Sequence, residues 1–228
     1  MATTTDRGLT KLTAKLYDPM YAVFDRRISD ALIRRDAFLD LMIAQEIPHL
    51  REDLEGKQLS SAANRHISHS LKRLGLKQVS IAVRHETAET LRAVVEEHNL
   101  VRDAFLNRLI ALLRASDPLL KALGLPNRVR GGRRDGTEDM PTSPLRSIEE
   151  TLSDPLHYLR AACQERYGCG LHLLEFPREY MGFSCYLGDD QVPSTQAYKE
   201  REEKDREEAL LLAELFEADL SPIKTQGA

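Results

Sequence analysis

Two rows of three side chains, Lys11-Thr13-Lys15 and Gln78-Ser80-Ala82, occupy alternate positions of the short segments "KLTAKL" (11–16) and "QVSIAV" (78–83). Alternation puts each row on one face of a strand, opposite Leu12, Ala14 and Leu16 in the first and Val79, Ile81 and Val83 in the second. Such a row can hydrogen-bond flat, edge-on partners. Lysine donates to O6 and N7 of guanine, glutamine pairs with adenine at two points, and threonine or alanine touches a thymine methyl. The plainer reading is the solvated face of a small sheet. Further along, Cys163, Cys169, His172 and Cys185 could be drawn as a zinc site. Their spacing, C-x5-C-x2-H and a last Cys after twelve residues, does not match the usual zinc patterns, so buried thiols in a small core are expected and no metal or other cofactor is assigned. His66 and His69 read as surface residues. No P-loop, HExxH or nucleophile elbow is present, and no catalytic residue is assigned; the chain does not read as an enzyme.

The elements that must carry the two rows recur. Residues 9–44 overlie 76–111 at a constant offset of 67 with no gap, and "RDAFL" stands at both 35–39 and 102–106. Eight of the 36 aligned positions are identical, and polarity agrees at many more. Phe24 and Ile28 fall on Leu91 and Val95, four apart and so on one helical face. Each copy changes period once, from 2 to 3.6. The spacing predicts a strand at 11–16, a helix at 18–32 opened by Asp18 as cap and Pro19 as first residue, and a second helix at 35–47. The second copy predicts a strand at 78–83, a helix at 86–98 stopped by Asn99 in a left-handed conformation, and a helix at 102–115. A unit of about 40 residues is too small to bury its own core, so each copy needs the other.

Strand–helix–helix at this spacing resembles the ribbon-helix-helix family of DNA-binding proteins, over about residues 9–47 and 76–115. The resemblance implies that two copies pair their strands into an antiparallel ribbon that enters the major groove, with Lys11, Thr13, Lys15, Gln78, Ser80 and Ala82 reading bases. It also implies a phosphate clamp at the start of each second helix. Here that position holds Arg34, Arg35 and Arg102, whose guanidinium groups suit phosphate. The family's usual Ser or Thr cap is replaced by Arg34 and Val101, and Asp36 and Asp103 read as helix caps. Pairing within one chain would give an asymmetric site, whereas pairing between identical copies would read a palindrome. The expected fold is mainly α with a short β ribbon, a tandem ribbon-helix-helix forming an intrachain pseudo-dimer over 1–124. A helical connector fills 48–75, with a helix at 59–75.

Charge divides the chain. Residues 1–135 hold 23 Lys and Arg against 17 Asp and Glu, a balance of +6, and the remainder carries −10. A basic front and an acidic back suggest different partners. Residues 125–144 read as a basic flexible linker whose Arg128, Arg130, Arg133 and Arg134 could sample phosphates. Residues 145–228 read as a small α+β region: a helix at 147–168, strands in "GLHLLEFP" and "YMGFSCYLG", and an acidic helix from 195. That region is expected to bind a protein partner or to self-associate. No signal peptide or membrane span is apparent, and a cytoplasmic location is expected. The leading reading is a sequence-specific binder of double-stranded DNA acting as a bacterial transcriptional repressor. The alternatives are an antitoxin-like protein whose C-terminal half neutralises a partner, and an accessory DNA-binding protein of plasmid transfer or partition.

Overall fold

The apolar alternation at Leu12, Ala14 and Leu16 forms strand β1 (Leu9–Tyr17), and that at Val79, Ile81 and Val83 forms β2 (Leu76–Arg84). All six of these side chains are buried. In the computed structural model, which describes residues 8–125 and 153–219 (215–219 as backbone only), the two strands pair antiparallel within one chain. Each is one to two residues longer at either end than the alternation predicts. The basic stretch 127–144 and the start of the helix expected at 147 lie outside the described residues.

Helix α1 (Asp18–Asp30) and α2 (Arg35–Asp53) follow β1; α4 (His85–Glu97) and α5 (Arg102–Arg114) follow β2. Asp18 is the first residue of α1 and not its cap, because β1 runs on through Tyr17. In α4 Leu91 is buried as expected, but Val94 is buried in place of the expected Val95, which is half-buried. Between the copies, α3 (Ser61–Lys72) begins at Ser60, whose hydroxyl accepts from the Ala63 amide at 3.0 Å. The copies interlock: α2 packs on β2 and α4, whereas α5 packs on β1 and α1. Each second helix therefore shields the other copy's strand. The core between them includes Phe24, Leu39, Ile43, Leu91, Leu106 and Ile110, each worth about 1.5–3 kcal/mol when fully buried.

Asn99 ends α4 with φ of 52°, as its type predicts. Its equivalent in the first copy is Leu32, with φ of 57° and 92% exposure. Both turns close the same way, Leu100 N–H to Val95 O at 2.8 Å and Ile33 N–H to Ile28 O at 3.0 Å. A leucine gains no packing at such an exposed site and bears the left-handed cost of about 1–2 kcal/mol. The Leu32→Asn variant is expected to be more stable by about 1 kcal/mol, raising Tm by about 2–4 °C. A calorimetric Tm equal to or below that of the natural chain would show that the turn is not strained.

After the short helix α6 (Asp117–Ala122), the C-terminal residues divide. Contacts separate the chain into Met1–Tyr186 and Leu187–Ala228, so helix α7 (His157–Tyr167) and the segment up to 186 belong with the repeats. This differs from a boundary in the linker. The expected strands in "GLHLLEFP" and "YMGFSCYLG" are also absent among the described residues, which show irregular chain and a 3-10 turn at Arg178–Phe183. Leu171, Leu174, Phe176, Phe183 and Cys185 there are buried, but several of the carbonyls turn to a side chain of α5 and not to a neighbouring strand. Gly182 lets that turn approach α3 closely, since a Cβ would lie 2.6 Å from the Leu71 backbone. The second unit contains a 3-10 turn at Asp189–Gln191 and the long helix α8 (Gln196–Asp219), as the acidic segment predicts. Leu210, Leu211 and Leu212 on it are 50–61% exposed. Among the described residues, no helix is long and apolar enough to cross a membrane.

The C-terminal segment breaks the twofold likeness of the repeats. Ala111, Tyr17 and Met20 line a groove that Phe176, Tyr180 and Phe183 largely fill, leaving about 250 Å³. Their equivalents Ala44, Arg84 and Thr87 line a groove of about 760 Å³ that stays open.

Candidate nucleic-acid interface

Inward packing of Leu12, Ala14, Leu16, Val79, Ile81 and Val83 forces the intervening residues outward. Lys11, Thr13, Lys15, Gln78 and Ser80 are exposed and Ala82 is half-buried. The register aligns them in three cross-strand pairs: Lys11 with Ala82, Thr13 with Ser80, and Lys15 with Gln78. The structure thus gathers all six readout candidates on one face of one ribbon. The face holds two lysines and no carboxylate, and a two-stranded ribbon matches the width of the major groove.

A two-stranded ribbon has two open edges, where every second residue points its N–H and C=O away from the partner. Here both edges are closed by the second helix of the opposite copy. Asp36 accepts from the Ala82 amide at 3.0 Å, and Asp103 accepts from the Lys15 amide at 3.2 Å. Arg35 donates to Ser80 O at 3.3 Å, and Arg102 donates to Thr13 O at 2.7 Å. One turn later, Asp40 accepts from Arg84 N–H at 2.9 Å and Asn107 from Tyr17 N–H at 2.7 Å. Every partner in one copy is the partner in the other displaced by 67. Asp40 also holds the Arg84 guanidinium at 2.7 Å, and Asn107 donates to Lys15 O at 2.9 Å.

These contacts assign Asp36 and Asp103 a role the sequence reading missed. Neither α2 nor α5 has a side-chain cap at Arg34 or Val101, and the two aspartates bond the neighbouring strand instead. Arg35 and Arg102 hold that strand too. Arg35 further donates to the Tyr21 hydroxyl at 2.9 Å and contacts Asp36, and Arg102 contacts Asp103 at 3.0 Å. Both side chains are still 34–41% exposed beside the ribbon, and Arg34 is exposed in the turn before α2. The pair Arg-Asp at the head of the second helix in both copies was the available signal. Its identity across the repeat marked a shared contact, though not the strand as its object.

The remaining polar groups with unusual environments lie away from this face. Arg108, fully buried in α5, donates to Leu171 O at 2.5 Å, Leu174 O at 2.6 Å and Phe183 O at 3.4 Å, and lies 4.4 Å over the Phe176 ring. Glu46 of α2 meets His172 at 3.1 Å and also pairs with Arg160, which in turn contacts Asp154. Cys163 and Cys185 are buried, and burial pushes their thiols up to about 12 and about 11 respectively, away from the reactive thiolate. Among the described residues, no group of three or more His, Cys, Asp or Glu side chains is arranged to hold a metal ion. His172, from the drawn zinc set, is engaged by Glu46 and lies 5.8 Å from the Phe105 ring. No family model, curated protein or solved structure matches this chain.

Proposed function

We propose that this chain is a sequence-specific binder of double-stranded DNA, a tandem ribbon-helix-helix protein acting as a transcriptional repressor, whose ribbon enters the major groove. The observation that carries the reading is the ribbon itself: one exposed row of Lys, Gln, Thr, Ser and Ala side chains on a strand pair whose edges are clamped from both sides. Clamping matters because base readout needs side chains held in register, and a free ribbon would twist and slip. Lys11 and Lys15 supply donors for guanine and Gln78 a bidentate partner for adenine. Arg34, Arg35 and Arg102 flank the ribbon, where they can meet the phosphates on either side of the groove.

Lys11→Ala, Lys15→Ala and Gln78→Ala remove exposed groups and leave the core intact. Together they are expected to weaken binding to a selected duplex about a hundredfold or more, at roughly 1–3 kcal/mol for each good base contact. Loss of the two cations also makes the dependence on salt shallower. Fluorescence anisotropy of labelled duplex across a salt series measures both. Unchanged affinity in the triple variant would sink readout by the ribbon.

A further inference from the structure

The pairing of the strands decides which outward side chains share a half of the ribbon. Thr13 and Ser80 pair with each other and are also equivalents in the 67-residue repeat, so the local twofold passes between them. On one side of that axis Lys11 stands opposite Ala82; on the other, Lys15 stands opposite Gln78. A symmetric ribbon would place the same pair on both sides. The backbone is close to symmetric here, because the edge clamps repeat contact for contact. The asymmetry is therefore in the side chains alone.

Resting on the DNA reading above, we infer that the target is a non-palindromic duplex site, one half met by Lys11 with Ala82 and the other by Lys15 with Gln78. The lysine–alanine half favours guanine beside a thymine methyl, and the lysine–glutamine half favours guanine together with adenine. From residue 11 to residue 15 the strand rises about 14 Å at about 3.4 Å per residue, which matches roughly four base-pair steps. Both halves thus fall within one short contiguous stretch. Two separate readers would instead need half-sites about one helical turn apart. Thr13 and Ser80, similar hydroxyl side chains, sit over the centre and contribute little to the difference.

The test is selection from a random duplex pool with the full chain, followed by the same selection with Gln78→Lys/Ala82→Lys. In that variant the rows become Lys-Thr-Lys and Lys-Ser-Lys, nearly equal about the axis. The natural chain is expected to select a motif without twofold symmetry, and to bind a palindrome built from either half about tenfold more weakly. The double variant is expected to select a palindrome. Gln78→Lys alone, at a fully outward position, is expected to lose the adenine preference in one half only, and it serves if the double variant fails to fold. A palindromic motif from the natural chain, or a motif that none of the changes moves, would overturn the asymmetric assignment while leaving DNA reading intact. Recovery of no motif by the natural chain would overturn the DNA reading itself.

Discussion

An Arg108→Ala chain is expected to lose about 3–5 kcal/mol of stability, since buried carbonyls left without a donor cost about 1–3 kcal/mol each and the lost side chain leaves a cavity. Arg108 is fully buried, yet among the described residues no carboxylate hydrogen-bonds it; carbonyls of Leu171, Leu174 and Phe183 do so instead, with the Phe176 ring packed on its face. Truncation would leave those three acceptors without water or partner and open a void between α5 and the C-terminal segment. Lysine is not a substitute, since a single ammonium cannot span carbonyls that a planar fork reaches together. Nor is leucine, the residue at the matching position 41 of the first copy, where the side chain is 39% exposed. Urea denaturation followed by circular dichroism measures the loss. A change below about 1 kcal/mol would mean that the segment 170–186 is held by its aromatic side chains alone.

The second large effect concerns acid. Burial lowers the His172 pKa, outweighing the hydrogen bond and charge of Glu46 that raise it, so the native ring is neutral near pH 7. Neutrality fits the geometry. Nε2 faces Glu46, while Nδ1 has no hydrogen-bond partner among the described residues and would become an unpaired buried N–H if protonated. Burial alone would raise the Glu46 carboxyl, but the hydrogen bond from His172, with the charge and hydrogen bond of Arg160, holds it below its ordinary value of 4.5. The signs agree. A depressed histidine contributes stability that is complete above its unfolded value of 6.5 and falls as pH drops below it. A depressed carboxyl contributes stability that is complete above 4.5 and is lost as pH falls through its lower native value. Stability is thus expected to be flat between about pH 7 and 8, to decline below about 6.5, and to decline again below 4.5. Urea midpoints across that range, with His172→Gln removing the upper limb, measure it. A natural chain whose midpoint does not move between pH 7.5 and 5.5 would exclude a buried neutral His172.

Both effects involve what the sequence conveyed least well. The strands, the four repeat helices and the connecting helix were legible because each rests on a local rule: alternation, a 3.6-residue stripe, or Ser60 and Asn99 at helix ends. The outward row was legible for the same reason. The edge clamps were not, because Asp36 and Asp103 act across copies, some 46 and 88 residues away in the chain, where no local pattern reaches. Each also stands in a first helical turn, where an acidic residue is ordinarily explained by the helix dipole. The C-terminal segment misled for a different reason. "GLHLLEFP" has the apolar run of a strand, but its carbonyls are taken by Arg108. A single arginine inside "AFLNRLIALL", on a face otherwise made for burial, was the visible sign that something polar awaited it.

Pairing β1 with β2 inside one chain has a consequence for dilution. A ribbon shared between two separate chains exists only while they stay associated, so its melting point and its readiness to act fall as the protein becomes scarce. Here the second strand is tethered through residues 18–75, and tethers of that kind hold their ends at an effective concentration on the order of millimolar whatever the amount of protein present. Midpoints of unfolding for this unit should therefore coincide at nanomolar and micromolar protein. A few copies would carry as complete a ribbon as many, and on the proposed DNA reading occupancy of a site would rise with the first power of concentration instead of its square.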